Sequence, residues 1–224
     1  MRQLIYIPVI HTQVDMGSMA DALKESYLER HGEEKWASRV KAIDQMWEGI
    51  QRKIEELNLD SHRVKLYQDG LPICGKEIEI VNEVASRGSH NYRILKELLQ
   101  KGCTLMGTES AELLIKEYQM IKETAQPTGK NRPFWKSLRL WLAAREILRN
   151  RDQFIAQRIV ETLQDEETGI LFMGIHHQVD RYLTARLDSA RQACLGKTSP
   201  HGITIRYLFH RLPFEYSRRF SASF

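Results

Sequence analysis

Apolar positions along this chain follow two alternating rhythms, one of strands and one of helices. Residues 4–10 (LIYIPVI) form an unbroken, partly β-branched apolar run, which predicts a strand buried on both faces of a sheet. Segments 64–70 (VKLYQDG), 103–109 (CTLMGTE), 170–174 and 203–209 (ITIRYLF) predict further strands, with turn chemistry beside them at Asp69-Gly70-Leu71-Pro72 and at Gly196-Lys197-Thr198-Ser199-Pro200. Between them the period becomes helical. Ser18, with Asp21 three residues on, reads as the N-cap of a first helix in an imperfect capping box. Helices are expected at 76–86 and 90–101, split at Arg87-Gly88-Ser89, then from 110 to about 123, from 134 to about 163 and over 179–194. In the 134–163 segment Trp135, Leu138, Trp141, Leu142, Leu148, Ile155 and Ile159 are expected to face inward.

The longest stripe is Trp36, Val40, Ile43, Trp47, Ile50, Ile54 and Leu57, spaced alternately four and three residues apart. All seven share one helical face. Such a seam suits either a partner helix, as in a homodimer through 36–57, or one face of the sheet. Strands alternating with helices argue a single α/β domain over 1–224. Its sheet is expected to be mixed and largely parallel, flanked by helices on both faces. The arm 33–58 and the loop 124–133, where turn residues cluster, are candidates for a lid or hinge.

A hydrophobic content of 42% and a charged content of 28% are ordinary globular values, which excludes disordered and membrane-spanning classes. The first apolar run is too short for a signal peptide or a spanning helix. Cys74, Cys103 and Cys194 show no C-x-x-C spacing, which fits reduced thiols and a cytoplasmic setting. The net charge of +4 is unevenly placed: 130–158 carries Lys130, Arg132, Lys136, Arg139, Arg145, Arg149, Arg151 and Arg158 against Glu146 and Asp152. A solvated helix face is the common reading of such a run; nucleic acid or a phosphorylated ligand is the functional one.

The candidate chemistry sits at predicted strand ends. "IYIPVIHTQVD" (5–15) and "GILFMGIHHQVD" (169–180) each drive an apolar strand into histidine and then into Gln-Val-Asp. In parallel α/β sheets ligands bind beyond the carboxyl ends of the strands. His11, Asp69, Glu109 and the pair His176/His177 all fall there. Two imidazoles with one or two carboxylates are a donor set for a divalent cation, zinc or manganese, with one position open to water. Side chains alternate along a strand, so one of His176 and His177 is expected to face the site, and the spacing from Gly174 favours His177. Taken singly, each residue also has a structural reading as a turn former, a first-turn acid or a surface ion pair. The chain has no Gly-x-Gly-x-x-Gly, no complete phosphate loop, no His-Glu-x-x-His and no Gly-x-Ser-x-Gly.

The stretch "RDQFIAQRIVETLQDEETGILFMGIHH" resembles the C-terminal signature of the Tiki/TraB/ChaN-like superfamily, which includes erythromycin-esterase-like proteins. The pattern is Arg-Asp, a small residue four on, an aliphatic helix, then a strand ending Gly-x-x-His: here Arg151, Asp152, Ala156, Ile159, Gly174 and His177. "TLMGTES" with Glu109 matches the middle element. The first Gly-x-x-His falls on Pro8-Val9-Ile10-His11, with proline where glycine is expected. The resemblance spans residues 4–185. It implies a mixed sheet with the histidines, acid and arginine facing one cleft, in a family whose members perform metal-dependent peptide cleavage, ester hydrolysis or haem binding. The expectation is a metal-dependent hydrolase acting on a small-molecule or peptide substrate. His11, Asp69 and His177 or His176 would be ligands, Glu109 the general base, and Arg151, oriented by Asp152, the stabiliser of developing oxyanion charge. The alternative is a binding protein for haem, or for nucleic acid or a phosphorylated ligand along 132–158.

Overall fold

The computed structural model describes residues 1–12, 14–15, 20–125, 134–184 and 202–208. The apolar run near the N-terminus becomes β1 (Arg2–Val9), whose last six residues are all buried. It is followed by α1 (Ala20–His31), α2 (Glu33–Glu56), β2 (Val64–Gln68), α3 (Glu77–Ser86), α4 (His90–Gln100), β3 (Thr104–Met106) and α5 (Ala111–Ala125). The chain continues through α6 (Phe134–Thr162), β4 (Thr168–Gly174), α7 (Val179–Thr184) and β5 (Ile203–Tyr207). The proposed Ser18 cap, residues 126–133 of the proposed hinge loop and the continuation of the last helix to 194 lie outside the described residues.

The strands form one sheet in the order β3-β2-β4-β1-β5, and every described pairing is parallel. The connections from β1 to β2 and from β2 to β3 step one way across the sheet and carry α2, α3 and α4 on one face. Those from β3 to β4 and from β4 to β5 step back the other way with α6 and α7 on the opposite face. A uniform right-handed crossover demands this exchange of faces when direction reverses. Alternate strand residues sort accordingly. Ile5, Ile7, Val9, Leu66 and Phe172 pack under α2–α4, while Leu4, Tyr6, Tyr67, Leu171 and Met173 pack against α6 and α7. Both faces are covered, so β1 and β4 read as continuous apolar runs.

The α2 stripe is used largely inside the domain. Ile43, Trp47, Ile50 and Ile54 are buried, and the Trp47 ring lies 6.3 Å from that of Phe172 on β4. Trp36 instead packs on Tyr27 of α1, and Val40 is 38% exposed. Pro8 is accommodated by register. The Val9 carbonyl accepts from Ile175 on the β4 side, so the missing Pro8 N–H faces β5, past the last pair Tyr6–Tyr207.

Two residues expected inward on α6, Trp141 and Leu142, are each 52% exposed. The side chains of Trp135 and Leu138 fall outside those described. The reason is helix length. Toward its C-terminus α6 lies near the strand starts, where Arg2 Nη1 donates to the carbonyls of Val160 (3.0 Å) and Leu163 (3.2 Å). Asp152 is already level with the strand ends, bonded to His177. The residues from 134 to 152 therefore rise roughly 27 Å further at 1.5 Å per residue, beyond the sheet. Ile155 and Ile159, behind that point, are fully buried as expected.

Candidate functional site

The carboxyl edge of the sheet gathers His11 after β1, Asp69 after β2, Glu109 after β3 and His177 after β4, with Arg151 and Asp152 from α6 lying across them. Asp69 is the hub. Its Oδ2 accepts from His11 Nε2 (3.0 Å) and from the Gly174 N–H (3.0 Å), and His177 Nε2 stands 3.5 Å away. Its Oδ1 accepts from Arg151 Nη2 at 2.8 Å. Gly174 is required for this approach. A Cβ there would sit 2.7 Å from Asp69 Oδ2 and 3.3 Å from His11 Nε2. The glycine of Gly-x-x-His, the last residue of β4, thus makes room for the carboxylate three residues before the histidine.

Arg151 and Glu109 form a two-pronged pair, Nε to Oε2 and Nη2 to Oε1, both at 2.6 Å. Gly70 N–H donates to the same Oε1 at 2.7 Å, from the turn where Gly70 takes φ of 76°. The loops after β2 and β3 continue to pair beyond the strands, through Ile73 N–H to the Glu109 carbonyl and Glu109 N–H to Leu71. Glu109 is fully buried with both oxygens occupied by donors. Arg151 Nη1 donates to Glu117 on α5 at 2.5 Å. Four of the five guanidinium N–H groups are therefore engaged.

Asp152 turns the other way. Its Oδ1 accepts from His177 Nδ1 (2.5 Å) and its Oδ2 from Gln178 N–H (2.9 Å). Because Asp152 acts here as an acceptor, the Nδ1 proton is fixed, and the Nε2 of a neutral His177 ring would aim a lone pair at Asp69 Oδ2. Only a proton or a cation at that position relieves the repulsion. Asp15, quoted in the N-terminal echo but given no role by it, lies 3.9 Å from His11 Nδ1 through Oδ2. It accepts from Thr12 N–H and from Ser89, the N-cap of α4. Glu117 carried no signal in the sequence beyond its charge.

Acidic groups thus outnumber the guanidinium five to one: Asp15, Asp69, Glu109, Glu117 and Asp152 against Arg151. Burial pulls both imidazoles down. For His11 the bond and charge of Asp69 outweigh it, for His177 the charge of Asp69 and the bond to Asp152, and both end above the ordinary value. Burial pushes Asp69 up, but His177, His11 and Arg151 hold it well below the usual carboxylate range. Burial, with the neighbouring Asp69, raises Glu109 despite Arg151. The guanidinium is held above its ordinary value, the pull of Glu109, Asp69 and Glu117 exceeding the effect of burial.

Raised imidazoles stabilise the fold fully below about pH 6.5 and lose that contribution as pH rises through their folded values. Depressed Asp69 contributes above about pH 4 and loses its contribution as pH falls. Protein stripped with a chelator is therefore expected to have a lower urea midpoint at about pH 8.5 than at about pH 6. The His11→Gln/His177→Gln variant is expected to flatten that slope. A wild-type midpoint that rises over this interval would contradict the arrangement.

His176 does not join the cluster. It is exposed and lines a groove on the α6 side with Arg145, Arg149 and Tyr182. Among the described residues no group of three or more His, Cys, Asp or Glu side chains is placed to hold a metal ion. In this arrangement the donors of His11 and His177 close directly on Asp69. Their separations of 3.0 and 3.5 Å lie to either side of the ~3.3 Å expected between two tetrahedral ligands bound at about 2.0–2.1 Å, and imidazole and carboxylate are the donor types a divalent cation takes. Cys74 and Cys103 are free thiols, and among the described residues no helix is long and apolar enough to cross a membrane. Comparison of the chain with protein-family models, with curated proteins and with solved structures gives no significant match.

Proposed function

We propose that the chain is a metal-dependent hydrolase of the Tiki/TraB-like type, cytoplasmic, acting on a small-molecule or peptide substrate. The observation that carries this reading is the locked His177 ring. Asp152 accepts from its Nδ1, and its Nε2 joins that of His11 in facing one carboxylate oxygen of Asp69. His11, His177 and Asp69 would hold a divalent cation, such as zinc or manganese, whose two charges replace two imidazole protons in an acid-rich site. When bound, such an ion supplies hydroxide near neutral pH and polarises a carbonyl. The histidine-to-carboxylate support behind His177 is the usual company of a metal-ligating imidazole.

The protein's own groups divide the remaining work. Arg151 fixes Asp69 and is itself fixed by Glu109, so we assign Glu109 a positioning role in place of general base. Gly174 N–H holds Asp69 Oδ2 from the strand. With a side chain 26% exposed, His11 is the more open of the two imidazoles and marks where substrate arrives. The test is calorimetric titration of chelator-stripped protein with zinc and with manganese, beside a folded His177→Ala variant. The expected result is stoichiometric binding by wild type and a 10- to 100-fold or greater loss in the variant. Wild type that takes up neither ion would overturn the metal reading.

A further inference from the structure

A groove of about 510 Å³ runs along the far side of Asp152, between α6 and the turn from β4 into α7. That volume falls in the range of small-molecule sites, ~300–1,000 Å³. Leu142, Arg145, Arg149 and Asp152 follow one another at three- and four-residue spacing on α6 and supply one wall; His176 and Tyr182 supply the other. We propose that this groove is the subsite for a small organic anion, a phosphate or carboxylate on an apolar body, seated on Arg145 and Arg149. As the anionic end of the hydrolase substrate, the ligand rests on the function proposed above; as a binding site, it does not.

The groove presents arginine donors to which no ion pair is drawn among the described residues. The Arg145 guanidinium lies over the Trp141 ring, 4.7 Å from its centroid, a contact that restrains the side chain without consuming its N–H donors. A planar fork so held suits two-point recognition of phosphate or carboxylate. Among the described residues no carboxylate pairs with Arg145 or Arg149. Asp152 turns its oxygens to His177 and Gln178 and forms no ion pair with either arginine. The wall carries two acids, Glu146 and Asp152, beside the two guanidiniums, and neither closes on them, so the arginine N–H groups stay open to a ligand. Leu142, half exposed on the groove wall, offers apolar surface to the body of the ligand. Asp152 is both groove wall and the acceptor that orients His177. An anion seated on the arginines therefore lies one side chain from the proposed reacting centre.

The experiment titrates the full chain with phenyl phosphate and with phenylacetate, read by calorimetry and tryptophan fluorescence, for wild type and three variants. Wild type is expected to bind at least one probe, and Arg145→Ala/Arg149→Ala to weaken it by about tenfold or more, the loss of one or two charge-assisted hydrogen bonds. Arg139→Ala, on the same helix but off the groove, is expected to bind like wild type. His177→Ala is expected to retain probe binding while losing metal, so a failure of the hydrolase reading leaves the subsite standing and is seen separately. A tenfold preference for one probe identifies the anion as phosphate or carboxylate. Binding of neither probe, or equal binding by the double variant and wild type, would overturn the proposal.

Discussion

Arg151→Ala is expected to cost the protein about 3–5 kcal/mol of stability, far beyond the ~0.5 kcal/mol typical of a surface arginine. Arg151 is 5% exposed, and it is the shared donor to Asp69, Glu109 and Glu117. Its removal leaves the fully buried Glu109 with Gly70 N–H as its one remaining donor in the site, and Asp69 dependent on the imidazoles. An uncompensated buried carboxylate, not the lost attraction itself, sets the size of the effect. Pairing Arg151→Met with Glu109→Met should therefore recover part of the loss, since one stranded charge goes with the cation. Urea unfolding of Arg151→Ala, Arg151→Met and the Arg151→Met/Glu109→Met double variant measures this. A single-variant loss under about 1 kcal/mol would show that water reaches the pair and that Arg151 is not a structural bridge.

Trp47→Glu is expected to unfold the domain. Trp47 is fully buried against the sheet, near Phe172, in a cluster with Ile43, Met46, Ile50 and Ile54. Deleting a buried aromatic costs about 3–5 kcal/mol, and an unpaired buried carboxylate adds several more. The sum approaches the whole stability of a typical domain, ~5–15 kcal/mol. Circular dichroism with sedimentation decides between this and a seam between subunits, for which a folded monomer would appear. Val40→Glu, on the exposed flank of the same helix, is the control and is expected to fold.

The fold was legible where one physical requirement governs a segment. A strand covered on both faces has to be apolar throughout, and 4–10 and 170–174 could be read from that alone. Helix α2 was legible from its period, yet the period could not say whether a sheet or a second chain lies under the stripe, because both demand the same residues. The exposure of Trp141 and Leu142 is not legible for a different reason. Amphipathic spacing describes one face of a helix and not how far the helix outruns the sheet. At the site, His11, Asp69, Glu109 and His177 could be placed together because parallel strands deliver their ends to one edge. Glu117 and Asp15 could not, since a helix-borne acid and a loop acid are silent until the fold brings a cation near them. The occupied oxygens of Glu109 were equally beyond reach: they depend on Gly70 and Arg151 arriving from separate segments.

The position of β1 in the sheet has a consequence for how the chain is made. Ile5 pairs with Ile170, and Arg2 with Ile203, so the first strand has no neighbour until the fourth and fifth exist. At ribosomal speeds of ~5–20 residues per second, about 165 residues of further synthesis amount to roughly 8–33 s. Through that interval a run of apolar, β-branched side chains has both its edges, and the face that α6 and α7 will cover, unfilled. Strands β2 and β3 with α3 and α4 can come together earlier, but they lack the strand that belongs between β2 and β1. Loop closure over such separations makes folding slow and late. The nascent β1 is consequently the strand most exposed to aggregation while the chain is made. His11, carried at its end, meets its partners only when the last pairings close.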